Sequence, residues 1–191
     1  YQISRENDIL FCFDEVQSGF YRMGTLYGYQ TYNDYEADIV TLGKGLTSSL
    51  PLSAVLSKKE IIDIDMKANL SSTHAGNAVC CAAGLANLDF LTDKDFQKDF
   101  QERVKLFEKL NKELEKEVGV EVVNVRGMVS AIIVKDGDMG NYVTEYCIKN
   151  GVLPVWTKRE SVKLGPPLTI SSEAIIESMG VIKEAIRSYN G

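Results

Sequence analysis

Histidine, tryptophan, proline and cysteine are all scarce in this chain: one, one, four and four among 191 residues. With so little proline and 45% hydrophobic residues, a disordered or collagen-like chain is excluded, and the length suffices for one substantial core or two small ones. The cysteines, Cys12, Cys80, Cys81 and Cys147, show neither CxxC nor metal-ligand spacing, and a bridge between the adjacent pair would be strained. They read as buried reduced thiols suited to a reducing compartment, with no metal site. Basic residues do not dominate either. A net charge of -6 with mixed signs offers no stripe to neutralise a phosphate backbone, which argues against a nucleic-acid partner. Long apolar runs are missing too: the stretch from Ala78 to Leu91 is broken by Gly84, Asn87 and Asp89 and falls short of the roughly 20 residues of a membrane span. The opening Tyr-Gln-Ile-Ser-Arg has no initiator Met, basic flank or cleavage site, so no signal peptide is read and a cytoplasmic location is expected.

What is present falls into two patterns. Ile9 to Phe13, Ile39 to Leu42 and Leu52 to Leu56 are short continuous apolar runs that stop at Asp14, at Gly43-Lys44-Gly45 and at Ser57-Lys58-Lys59-Glu60. They predict strands buried on both faces in an α/β layer, with a helix able to start near Lys59. The small-residue run from Ala78 predicts a closely packed helix ending at Thr92-Asp93. Beyond it, Phe96, Phe100, Phe107, Leu110, Leu114 and Val118 form one stripe on a long helix that should end at Gly119. Strands over Val120–Val125 and Met128–Val134, a turn at Asp136-Gly137-Asp138, a helix over Asn141–Asn150, strands over Val152–Trp156 and Val162–Leu164, and a helix capped by Ser171 or Ser172 complete an α+β pattern. A boundary near residue 92 therefore divides the chain into domains 1–92 and 93–191.

Lys44 stands between two glycines directly after a strand, where a desolvated amine could act as a nucleophile, and where a solvated turn lysine would look the same. A nucleotide-binding loop is excluded, because GxxxxGK[ST] needs glycine at Asp38 and a hydroxyl residue at Gly45. Asp14 ends the first strand where ligands gather in open α/β sheets, and a helix cap or ion-pair partner is the competing reading.

The stretches Asp14-Glu15-Val16-Gln17-Ser18-Gly19-Phe20-Tyr21-Arg22-Met23-Gly24, Ala37-Asp38-Ile39-Val40-Thr41-Leu42-Gly43-Lys44-Gly45-Leu46 and Pro51-Leu52-Ser53-Ala54-Val55 closely resemble the class III (subgroup II) aminotransferases. The resemblance continues in Ser72-Thr73-His74-Ala75-Gly76-Asn77 and in Lys163-Leu164-Gly165-Pro166-Pro167-Leu168-Thr169-Ile170. It implies a fold type I enzyme dependent on pyridoxal 5'-phosphate, akin to 4-aminobutyrate, ornithine and acetylornithine aminotransferases. Lys44 would then form the internal aldimine, a Schiff base, and later move the substrate proton. Asp14 would pair with the pyridine nitrogen, Val16 would pack on the ring and Gln17 would lie near its phenolic oxygen. Thr73 would donate to the cofactor phosphate across a homodimer interface, so that the active sites are shared. Ser72 and Lys163 are the substrate candidates, for an amino donor and a 2-oxo acid. His74, the only histidine, reads as a packing residue, Arg22 as a loop-holding one, and Trp156 and Arg126 as structural.

Two departures bear on specificity. Many relatives have an arginine at Lys163, whose two-pronged grip on a carboxylate a lysine cannot reproduce. Ser48-Ser49 replaces a glycine pair. Members of the family are about twice this length, so the chain reads as the C-terminal half: the rear of the large cofactor domain and the small domain, expected to have little or no activity alone. Two alternatives to the transaminase stay open, a racemase or epimerase of the same fold and an inactive dimerising fragment.

Overall fold

The computed structural model describes residues 1–32, 35–63 and 72–189. The chain divides into two compact units, Tyr1–Gln97 and Lys98–Gly191, whose sequence boundary falls inside a long helix.

In the first unit a short helix, α1 (Gln2–Glu6), leads to strand β1 (Cys12–Asp14). A long connection rich in turns, with a 3-10 turn at Gly28–Thr31, precedes β2 (Ile39–Leu42), and β3 (Ala54–Ser57) and α2 (Lys59–Ile62) follow. The sheet order is β1-β2-β3, with β2 parallel to β1 and antiparallel to β3. Register pairs Asp14 with Thr41, and Glu15 continues the ladder by donating its amide to the Thr41 carbonyl at 2.9 Å. The expectation of strands buried on both faces is not met. β2 buries alternate residues, Val40 and Leu42, whereas β1 at the sheet edge leaves Cys12 and Asp14 exposed, and Ile9 and Leu10 lie outside the strand. One face of β1 is covered in part, where Tyr29 of the 3-10 turn stacks on Phe13 at 4.8 Å between ring centroids, while the face with Cys12 and Asp14 is open.

Helix α3 (Ala78–Thr92) begins at the Asn77 cap, whose Oδ1 accepts from the amides of Val79 and Cys80, and ends at Asp93, as the sequence suggests. Its packing is looser than expected. Cys80, Gly84 and Leu91 are buried, while Val79, Leu85 and Phe90 are exposed.

The second unit is built around the stripe on α4 (Lys94–Glu113). Phe100, Val104, Phe107 and Asn111 point inward at four-, three- and four-residue steps. The helix stops earlier than the stripe implies: a 3-10 turn over Leu114–Lys116 changes the period, so Leu114 is buried but Val118 is swung out and 93% exposed. Strands β4 (Val120–Arg126) and β5 (Val129–Val134), helix α5 (Gly137–Lys149), strands β6 (Val155–Trp156) and β7 (Ser161–Leu164), and helix α6 (Ser172–Ser188) follow the order read from the sequence. The sheet is antiparallel with order β4-β5-β7-β6. Ile132 and Val134 on β5 meet Val143 and Cys147 of α5 and Ile175 and Ile182 of α6 in a core of fully buried side chains. Asp136-Gly137-Asp138 is not a free turn. Asp136 caps α5 by accepting from the Met139 amide at 2.8 Å, which starts that helix four residues before the predicted Asn141. Ser171 caps α6 through the Ala174 amide.

Candidate active site

The parallel pair β1–β2 delivers two reactive groups to the same end of the sheet. Asp14 closes β1, and Lys44 comes two residues after β2. Lys44 is exposed, so the structure does not supply the desolvated environment expected for it. Its backbone has φ 39°, left-handed for a residue with a Cβ. Its Nζ donates to Gln17 Oε1 at 3.1 Å.

Asp14 is anchored by one oxygen only. Oδ1 accepts from the Val16 amide at 3.0 Å and from the Thr41 hydroxyl at 3.1 Å, whereas Oδ2 has no hydrogen-bond partner among the described residues. That oxygen is therefore an available acceptor of fixed orientation. Val16 lies against the Lys44 loop: a Cβ added at Gly43 would sit 3.4 Å from Val16 Cγ1. Five residues are thus tied together: Asp14, Val16 and Gln17 on one segment, Thr41 and Lys44 on the next.

Glu15 points the other way and is buried, 2% exposed. Its Oε2 accepts from Ser18 Oγ at 2.6 Å and the Gly28 amide at 2.8 Å, and its Oε1 accepts from the Tyr29 amide at 2.7 Å. A buried carboxylate is tolerated because each oxygen is satisfied. The result is a knot that fixes the loop after Asp14. Strain gathers in that loop as well, with Phe20 at φ 55° and Tyr21 at φ 65°. Phe20 is buried against Gly45, where an added Cβ would come within 3.2 Å of Phe20 Cβ, so Gly45 is needed for that close approach. Arg22 stands in the same loop, and burial holds its guanidinium below the ordinary value.

From α3, Asn87 Nδ2 donates to the Gly45 carbonyl at 2.7 Å and to the Leu46 carbonyl at 3.2 Å. Glu15, Thr41 and Asn87 were not assigned a role by the motif reasoning. Asn87 has a periodicity signal, because it falls three residues after Gly84 and seven after Cys80, on the one buried face of an otherwise apolar helix. Thr41 is the one polar residue of the second apolar run, and Glu15 is a charge followed within four residues by Gly19.

The remaining sequence candidates lie elsewhere. Ser72 and Thr73 occupy an exposed turn before α3, closed by the Ala75 amide on the Ser72 carbonyl at 3.0 Å, and no hydrogen bond links either to the Asp14–Lys44 group. His74, in the same turn, is exposed and does not pack as expected. Lys163 is in the second unit, half-exposed on the face of β7 opposite Val162 and Leu164 and paired in register with Ala131 and Val155. Trp156 donates its indole N–H to Asn141 Oδ1 at 2.7 Å, a structural link between β6 and α5. Among the described residues no group of three His, Cys, Asp or Glu side chains could hold a metal ion.

The family described as aminotransferase class-III matches residues 1–186. An acetylornithine aminotransferase of Clostridium acetobutylicum is 33% identical over 95% of this chain and 47% of its own length. An isoleucine 2-epimerase of Lentilactobacillus buchneri is 31% identical over 97% of this chain and 43% of its own. Among solved structures, acetylornithine aminotransferase from Elizabethkingia anophelis superposes with a TM-score of 0.86 at 30% identity, covering 98% of this chain and 48% of that one. The chain spans about half the length of the relatives it matches.

Proposed function

The chain belongs to the class-III aminotransferases, pyridoxal-phosphate enzymes of fold type I, and we propose that it carries the reacting lysine of a transaminase. That enzyme moves an amino group from an ω-amine or amino acid to a 2-oxo acid in a ping-pong cycle. The first unit is the rear of the large cofactor domain and the second is the small domain. Because the chain spans about half of its relatives, the activity is assigned to the full-length protein, and the 191 residues alone are expected to have little or none.

The observation that carries this reading is the convergence of Asp14, Val16, Gln17 and Lys44 at one end of a parallel strand pair. These side chains suit pyridoxal phosphate. The available Oδ2 of Asp14 would accept a ring N–H, Val16 would offer an apolar surface to a ring face, Gln17 would face a ring oxygen, and Lys44 would present a primary amine. When bound, the cofactor supplies an electron sink for the negative charge that develops on the substrate α-carbon. Asp14 keeps a proton on the ring nitrogen, because its carboxylate favours the positively charged form. Lys44 would hold the cofactor through its primary amine and would move the substrate α-proton, as general base and then as general acid. Thr73 donates to the cofactor phosphate from a neighbouring subunit, and Ser72 and Lys163 contact substrate.

The homodimer draws support from α3. Its apolar residues are not gathered on one face, and Val79 is 69% and Leu85 65% exposed, so such a helix requires cover. Of the four thiols expected to be buried, Cys80 and Cys147 are and Cys12 and Cys81 are exposed; exposed thiols stay reduced in the cytoplasm, the location proposed. No helix among the described residues is long and apolar enough to cross a membrane.

Reduction of the native full-length protein with borohydride, followed by peptide mapping, tests the assignment. The expected result is a cofactor adduct on Lys44, absent in Lys44→Ala; an adduct on another lysine overturns it. The 31% identity to an isoleucine 2-epimerase favours one second reading, epimerisation on the same residues. Incubation with a single amino acid separates the two, since inversion at the α-carbon with no demand for a 2-oxo acid would exclude transamination.

A further inference from the structure

The left-handed backbone of Lys44 is unfavourable for any residue with a Cβ, so it persists only where its surroundings impose it. Before it, Gly43 is fully extended; after it, a 3-10 turn over Lys44–Leu46 is closed by the Leu46 amide on the Gly43 carbonyl at 3.0 Å. A single short turn does not hold such a geometry firmly, and the next support comes from α3. The helix brings Gly84 and Asn87 to this loop, on the same helical face that buries Cys80 and Leu91. Gly84 lies beside the same loop: an added Cβ would make ordinary contact with Leu52 Cδ2 at 3.5 Å and with the Leu46 carbonyl oxygen at 3.7 Å. Asn87, the polar member of that stripe, gives its amide nitrogen to the carbonyls of both residues that follow Lys44, at 2.7 and 3.2 Å. A primary amide has two N–H groups, so one side chain satisfies two consecutive acceptors and fixes the peptide plane between them.

We infer that Asn87 is a positioning residue for Lys44: by pinning the Gly45 and Leu46 carbonyls it holds Lys44 in its left-handed conformation and sets where the amine reaches. This rests on Lys44 being the amine that attaches the cofactor. Asn87 touches neither cofactor nor substrate in this scheme and acts only through the backbone beside the lysine. A leucine or alanine, which an apolar helix would otherwise accept at this position, leaves both carbonyls unpaired and the turn free to relax.

The test uses the full-length holoenzyme with Asn87→Ala, Asn87→Ser and, as a control, Arg5→Ala. The control removes an ion pair to Asp38 at 2.7 Å elsewhere in the same unit. Three readouts are taken: the pH midpoint of the bound cofactor's absorbance, the rate of cofactor release, and the rate at which an acylating reagent modifies Lys44 in the cofactor-free protein. Asn87→Ala is expected to release cofactor roughly five- to tenfold faster and to move the absorbance midpoint by about half a pH unit or more, the scale of one or two net hydrogen bonds. The acylation rate should change by about threefold or more on the same scale. Asn87→Ser, with one shorter donor, should fall between Asn87→Ala and the parent, and serves if Asn87→Ala does not fold. Arg5→Ala should lower stability and move none of the three. If the Asn87 variants lose stability but leave all three readouts at the parent values, the residue is merely structural and the inference is overturned. A borohydride adduct on a lysine other than Lys44 in the parent overturns the functional reading itself, and is seen without any Asn87 variant.

Discussion

Replacing Glu15 should unfasten the loop that follows Asp14 while leaving the second unit intact. The side chain is 2% exposed and accepts three hydrogen bonds, two of them from the backbone amides of Gly28 and Tyr29. In Glu15→Ala the Ser18 hydroxyl can keep its longer contact with the Asp14 carbonyl, but the two amides are stranded. At about 1–3 kcal/mol for each buried unsatisfied donor, more when the lost acceptor was charged, the expected loss is about 3–5 kcal/mol. Glu15→Gln separates charge from shape. With its oxygen in the Oε2 position it keeps Ser18 and Gly28 but turns an NH2 toward the Tyr29 amide, for a loss of about 1.5–3 kcal/mol. Amide hydrogen exchange at Gly28 and Tyr29 measures this directly. Since about 1.4 kcal/mol is a factor of ten, protection should fall roughly a hundredfold or more in Glu15→Ala and roughly tenfold or more in Glu15→Gln. Because Glu15 lies between Asp14 and Val16, cofactor affinity should fall in the same order. Unchanged protection at both amides in Glu15→Ala would refute the claim that this carboxylate holds the loop.

Three further expectations concern the second unit. Arg187 grips Glu117 with two nitrogens, at 2.7 and 2.9 Å, and Lys183 adds a contact at 3.4 Å; together they hold the carboxyl below the ordinary glutamate value of 4.5. The stability from this cluster is therefore complete above that value and lost as the pH falls through the depressed one, so urea midpoints should drop less steeply between neutral and acid pH in Glu117→Gln. Burial pushes the Cys147 thiol up to about 11, which favours the neutral thiol in the folded state, so its contribution is present below the ordinary value of 9 and lost as the pH rises toward 11. At pH 8 an alkylating reagent should leave Cys147 unmodified in the native protein and reach it in denaturant, as mass mapping would show. Gly140→Ala should destabilise by about 2–3 kcal/mol in urea unfolding, because its Cβ would fall inside contact distance of the Arg159 carbonyl, a backbone group with little room to retreat.

Much of the architecture was legible because the signals are local. The step pattern of Phe100, Phe107 and Leu114 marked α4, the pair Ser171-Ser172 marked the start of α6 without deciding which of them caps it, and the order of elements after residue 119 was readable from alternation and turn residues. Val118 escaped because a 3-10 turn changed the period within the stripe, and Asp136 because a capping aspartate and a turn aspartate have the same sequence context. At the candidate site, motif order indicated Asp14, Val16, Gln17 and Lys44. The residues that brace them, Glu15, Thr41 and Asn87, became visible only through contacts between segments well apart in the chain. Exposure of Lys44 and β1 was not foreseeable from apolar character, since that property records what a segment can bury and not whether a neighbour is at hand.

The parallel pairing of β1 with β2 makes the ladder a ruler for the chemistry. The spacing between the strand ends that carry Asp14 and lead to Lys44 is set by backbone hydrogen bonds across the strands, and the length of the connection between them plays no part. Beyond the Glu15 knot, the connection at the exposed residues Tyr32 and Tyr35 could therefore lengthen over evolution without displacing either strand end. Closing a connection of twice the length adds only about 0.6 kcal/mol. Insertions there would leave the strand ends that carry Asp14 and lead to Lys44 at the same separation.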